Sequence, residues 1–252
     1  MLLFSLLVGL GASLGLWRVA QKVPTWQQIR WVQAGLVVLT GALIGARLGF
    51  VFIHWNVFVA RPMAVFAFSL GGLFWPGAAA GGLVTLLAVS AVWHKHPLRV
   101  ADGLVPMLGP LVAMIWLACW RAGAAYGMEV PASTWWAVRS PDEQGLWLPR
   151  FPLQLLAALT LTALFAGLEQ MALYLQLRGQ LAAISGLVFG LHTLLFTMLR
   201  TDSVPTWNGF ALDLWGALAV TLLSILACAV AFGPVAAQKM AALNSRRLRR
   251  EV

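Results

Sequence analysis

The chain has 252 residues, 61% of them apolar and 10% charged, with a mean hydropathy of +0.84, which excludes a soluble globular domain, a disordered chain and a disulfide scaffold. Its formal charge of +9 would point to nucleic acid in a soluble protein. Here several apolar runs exceed the roughly 18 residues that cross a bilayer, so the basic surplus belongs to loops facing anionic lipid, and no nucleic-acid role is expected.

The expected architecture is all-α: a polytopic membrane protein of about seven transmembrane helices. In chain order the runs 1–17, 31–53, 74–93, 103–120, 151–176, 181–199 and 209–233 read as spans. The first run has no Lys or Arg before it, and Arg18, Lys22 and Arg30 follow it. That order suits a first span rather than a cleaved signal. The run 62–73, PMAVFAFSLGGL, is too short to cross and reads as re-entrant or interfacial. The longest connection, 121–150, carries both signs of charge and several Trp and Pro, and reads as a structured cap. Residues 1–237 form a single transmembrane helical domain and 238–252 a basic tail.

With the N-terminus outside, one side of the bilayer receives Arg18, Lys22, Arg30, Lys95, Arg99, Arg178, Lys239, Arg246, Arg247, Arg249 and Arg250. The other receives Arg61, Arg121, Arg139, Arg150 and Arg200. The bias places the C-terminus and the tail in the cytoplasm and the cap in the periplasm.

Arg47 lies inside a span, where a charge costs about 2.5–3.5 kcal/mol on insertion scales and needs a partner or a wet cavity. A snorkelling contact or a structural ion pair is one account, and a lipid phosphate held by the guanidinium fork is another. Gly41, Gly45 and Gly49 share its helix face, the pattern of close helix packing. Arg121 closes the fourth span at a similar depth, with Glu129 eight residues on. Together they suit an anion site beside a proton-handling group. His54 ends the second span and His192 lies inside the sixth, and either is structural or functional. Glu169 pairs most simply with Arg178. Asp202 and Asp213 are rim charges or partners of a buried arginine. No spacing suits a metal site, and the two cysteines read as small core residues. A transporter is disfavoured because no repeat is visible.

Several pieces then resemble the bacterial prolipoprotein diacylglyceryl transferase family. They are GALIGARLGFVF, GGLFWPGAAAGG, VADGLVP, RAGAAYGME, RFPLQL, SGLVFG and MLRTD, in family order from the first span to the last. The resemblance implies transfer of diacylglyceryl from phosphatidylglycerol to a lipobox cysteine of a prolipoprotein, in a bacterial inner membrane and without metal or soluble cofactor. It implies that Arg47 and Arg121 lie near the lipid phosphate. It further assigns Gly123 and Glu129 to the signature around Arg121, and Arg150, Pro152 and Gln154 to the motif opening span five. The family's His-Gly-Gly is replaced by Trp75, Pro76, Gly77 and Ala78, its signature asparagines by Ala124 and Gly127, and its span-six arginine by Thr193. Catalysis then falls to Arg121 and Glu129, with His54 or His192 as base. The alternative is a non-catalytic paralogue that binds phospholipid or a membrane partner.

Overall fold

The computed structural model describes residues 2–67, 71–175 and 178–248, with side chains as far as Gly233. Among these are seven helices long and apolar enough to cross a membrane, as the apolar runs predict. They are α1 (Leu2–Gln21), α2 (Thr25–Ile53), α4 (Trp75–Val92), α5 (Pro97–Ala122), α6 (Leu153–Met171), α7 (Gln180–Met198) and the apolar part of α8 (Leu212–Leu248). A short helix, α3 (Trp55–Ala60), and a 3-10 turn, Pro62–Phe66, fill the segment after α2. The backbone of α8 continues helically through the described part of the tail.

Helix α5 is the hub, packing on α1, α4, α6 and α7, while α2 pairs with α4 and α7 with α8. Val105 and Val112 of α5 join Leu161 and Phe165 of α6 and Leu181 of α7 in one core. Val100, Leu104 and Met107 join Val19 of α1 and Trp31 of α2 in another. Leucines and valines on the outer faces, such as Leu36, Val84, Leu159 and Leu222, stay exposed, as lipid-facing side chains must. The α2–α4 contact is glycine on glycine. A Cβ at Gly45 would run into the carbonyl of Gly77 and lie 2.8 Å from the Cα of Gly81. The Gly41–Gly45–Gly49 stripe therefore serves close packing.

Two long-range polar contacts fix the end remote from the cap. Glu169 accepts from Arg18 at 2.6 Å, with Lys22 at 3.8 Å. The expected Arg178 pair is replaced by a partner 151 residues away, because α6 returns beside the end of α1. Asp102, buried in α5, accepts from the backbone N–H of Gly179 (2.6 Å) and Ala182 (2.7 Å), capping α7 from another helix. Asp102→Ala is expected to destabilise the protein by about 1–3 kcal/mol, since two buried donors lose their acceptor. A lower melting temperature, partly restored by Asp102→Asn, is the check.

The cap end is not helical. Strands β1 (Val138–Pro141) and β2 (Trp147–Arg150) pair antiparallel, with Val138 opposite Arg150. A second hairpin, β3 (Thr206–Trp207) with β4 (Phe210–Ala211), leads into α8. The segment 121–150 thus holds the end of α5, the β1–β2 hairpin and the turns between them.

Candidate functional site

Arg47 is buried near the cap end of α2. Its guanidinium is the anchor of the segment after α3. Nε donates to Val65 O (2.9 Å), Nη1 to Gly71 O (2.5 Å) and Gly72 O (3.1 Å), and Nη2 to Ala64 O (2.6 Å) and Ala67 O (3.3 Å). Every N–H of the fork thus points at a carbonyl oxygen. A non-helical backbone at membrane depth must satisfy its carbonyls inside the protein, and here one arginine does so. Phe50 and Phe58 pack on the same guanidinium, 5.8 and 5.4 Å from its carbon. Residues 62–67 and 71–73 are therefore folded back against α2, and residues 68–70 of the expected re-entrant run lie outside the described residues.

The second assembly is the cap cluster. Helix α5 stops at Gly123, which adopts φ +68° and brings its Cα against the Asp142 carbonyl, an approach a side chain would block. Asp142 closes the β1–β2 turn, accepting from the N–H of Gln144 and Leu146, both at 2.9 Å. Its other oxygen lies 3.6 Å from Arg150 Nη2. Arg150 is 7% exposed, stacks over Tyr126 at 4.2 Å, and its Nε has no hydrogen-bond partner among the described residues. Burial and then the Glu143 charge push the Tyr126 phenol up, so its hydroxyl stays protonated. Gln154, fully enclosed, donates to Ala124 O at 3.1 Å. Glu129 bridges to Arg150 through the backbone and is itself exposed. Arg121 is exposed and rests on the Trp147 ring at 5.1 Å.

Arg200 ties this cluster to the bundle. It donates to Asp202 at 2.7 and 2.9 Å and to Asp213 at 2.5 Å. Burial alone would lower the pKa of Arg200, but the Asp202 hydrogen bonds and both carboxylate charges raise it, so it stays charged. Asp202 in turn accepts from Ala125 N–H at 2.9 Å, and Thr201 N–H donates to Tyr126 O at 3.0 Å. Ala125 sits at φ +54°, a left-handed conformation that this clamp holds in place. Trp75 packs edge-on to Phe189 at 5.9 Å and turns its indole N–H towards Asp213.

The histidines differ in their tautomers. Nδ1 of His54 lies 3.0 Å from Phe50 O, so it carries the proton and Nε2 keeps the lone pair. The ring stacks on Phe50 at 4.2 Å and is half-buried. His192 is buried, with Nε2 2.8 Å from Thr160 Oγ1. Thr160 already donates to Leu156 O at 2.7 Å, so His192 donates through Nε2, and its Nδ1 lone pair has no partner among the described residues.

The fold therefore joins Gly123, Glu129, Arg150 and Gln154 in one cluster, with Arg121 at its rim. It gives Arg47 and Arg121 separate partners: loop carbonyls for the first, an indole ring for the second. Sequence reading missed Asp142 and Tyr126, whose roles depend on a hairpin register that no motif announces. It left Asp202 and Asp213 open between two roles, and they prove to be the partners of Arg200. A Cβ at Gly127 would lie 2.8 Å from Phe151 O and 3.1 Å from Phe151 Cβ. A side chain at Gly127 would therefore press on the Phe151 backbone.

An open apolar groove of about 530 Å³ runs between α2 and α4 along Gly45, Gly49, Phe52, Trp55 and Gly77. It faces the lipid side of the bundle beside the Arg47 loop.

Comparison with known proteins gives the same family as the motifs. Residues 1–233 match the family model described as prolipoprotein diacylglyceryl transferase. A phosphatidylglycerol--prolipoprotein diacylglyceryl transferase of Rhodospirillum centenum is 28% identical over 207 residues, 78% of this chain and 74% of that protein. Its namesake in Protochlamydia amoebophila is 34% identical over 132 residues, 48% of this chain and 34% of that one. The one in Burkholderia lata is 28% identical over 157 residues, 58% and 52% of the two chains. The family match over nearly the whole membrane domain, on a seven-span bundle with the motif residues gathered at its cap end, shows that this chain belongs to the prolipoprotein diacylglyceryl transferase family.

Proposed function

We propose that the protein moves the diacylglyceryl group of phosphatidylglycerol to a prolipoprotein lipobox cysteine, at the cap end of the bundle. The cap and the N-terminus then face the periplasm of a bacterial inner membrane, and the tail faces the cytoplasm. One observation carries the reading. Gly123, Glu129, Arg150 and Gln154, the positions matching two family motifs, converge with Arg121 at that end.

The chemistry distributes as follows. The cysteine thiolate attacks the glyceryl carbon. A C–S bond forms as the C–O bond breaks, and the electron pair leaves on glycerol phosphate. Arg121 has no carboxylate partner among the described residues and offers its outward charge to the phosphate. Gln154 and Gly123 hold the turn that places it. Arg150, buried on Tyr126 and paired with Asp142, holds the hairpin beside it. Arg47 acts through the loop it anchors. The thiol proton, with an ordinary pKa near 8.5, passes to Nε2 of His54, the lone-pair nitrogen of the more exposed histidine at this end. The α2–α4 groove is the acyl path.

The test is transfer from labelled phosphatidylglycerol to a lipobox peptide by the purified protein. Thioether-linked diacylglyceryl peptide should form, and Arg121→Ala should slow it about 10²-fold. No product above a protein-free blank overturns the proposal. Trp75 and Thr193, at positions of family polar residues, favour a second reading, phospholipid binding without transfer. Tightly bound phosphatidylglycerol with no product would establish it.

A further inference from the structure

A second cationic site lies at the opposite end of the bundle. Trp31 and Trp93 meet edge-to-face, with ring centroids 5.0 Å apart. The Arg30 guanidinium sits 4.5 Å over Trp93, and Lys95 Nζ lies 5.8 Å from the Trp31 ring and 5.6 Å from the Trp93 ring. Trp31 is buried and held by its indole N–H donating to Gln27 at 3.3 Å, so the platform is fixed. The turn carrying Lys95 is also fixed. His94 adopts φ +52°, and Lys95 N–H donates to Ser90 O at 3.0 Å. Among the described residues, neither Arg30 nor Lys95 forms an ion pair, although Arg18, Lys22, Arg150 and Arg200 all do. The carboxylate nearest this end in sequence terms, Asp102, is taken by the α7 N-terminus.

From Arg30 and Trp93, the ring that Lys95 also faces, an apolar groove of about 320 Å³ descends between α2 and α4, floored by Ala34, Val37, Ala88 and Val89. Arg30 lies seventeen residues before Arg47 on the same helix, about 25 Å along its axis. It is thus far from the candidate active site.

We propose that this is a binding site for an anionic phospholipid of the bilayer, distinct from the substrate site. Its phosphate sits between Arg30 and Lys95, and one acyl chain lies in the α2–α4 groove. Charge complementarity selects the occupant: two unpaired cations on an aromatic platform at headgroup depth attract a phosphate, and the apolar floor below suits a hydrocarbon chain. A zwitterionic lipid carries its own ammonium to the same spot and loses most of the gain. Since α2 and α4 also frame the acyl groove at the other end, occupancy here would brace the helix pair that carries the Arg47 loop.

The test uses the full chain in nanodiscs of phosphatidylcholine doped with phosphatidylglycerol bearing a diazirine on one acyl chain. Crosslinks mapped by mass spectrometry should fall on 33–37 and 88–92. Arg30→Gln with Lys95→Gln should reduce them about 25-fold, at roughly five-fold per charge. Arg121→Ala should leave them intact. Arg30→Lys with Lys95→Arg should retain them, and both double variants should elute as the wild type does. Equal labelling by a diazirine phosphatidylcholine overturns the proposal. So does labelling that survives loss of both charges. Transfer activity is measured separately, so failure here leaves the reaction assignment standing.

Discussion

Replacing Arg47 by alanine is expected to destabilise the protein by at least about 3 kcal/mol and to abolish any activity that depends on the segment after α3. Five N–H···O=C contacts vanish together. The carbonyls of Gly71 and Gly72 lose their guanidinium donor at a partly buried position, and each orphaned group costs about 1–3 kcal/mol. Water does not substitute at membrane depth. Arg47→Lys separates shape from charge. Lysine keeps the cation but has three donors and no planar fork, so it cannot span carbonyls from Ala64 to Gly72. If Arg47 anchors the loop, the lysine variant loses most of the stability. If Arg47 instead bound a phosphate directly, lysine would retain much of the function and the melting temperature would barely move. Limited proteolysis at residues 60–74 gives an independent reading, since a released loop is cut faster.

Arg200→Ala is expected to cost about 3–5 kcal/mol, because Asp202 and Asp213 are left as uncompensated charges in a largely buried site. The effect extends beyond stability. Asp202 holds the Ala125 N–H, and the neighbouring Thr201 holds the Tyr126 carbonyl. Freed from Arg200, this clamp no longer keeps Ala125 left-handed, and the turn between Arg121 and Glu129 relaxes. Transfer should fall together with the melting temperature. Neutralising one of the two orphans, as in Arg200→Leu with Asp213→Asn, should recover part of the stability. It should recover less of the activity, because Asp202 still lacks its anchor. Full recovery of activity by that double variant would show that the clamp has no positioning role.

The spans were legible because their cause is local: a run of apolar residues long enough to cross hydrocarbon forms a helix whatever surrounds it. Depth was legible for the same reason, which singled out Arg47 before any partner was known. Partner choice was not. Glu169 pairs with Arg18, not with the nearer Arg178, and Asp102 caps a helix 77 residues on. Sequence motifs grouped Arg121 with Glu129 and Arg150 with Gln154, and the resemblance carried them to one family. Asp142, Tyr126 and the Arg200 clamp needed the hairpin register and the return of the 199–203 loop over the end of α5. Thus the sequence by itself determined a seven-helix membrane protein with a polar end, because hydrophobic length and charge depth are properties of the chain alone. Only the tertiary structure decided that Arg47 grips backbone carbonyls while Arg121 stays open to solvent, because hydrogen-bond donors are claimed by whichever acceptors the folded chain brings within about 3 Å.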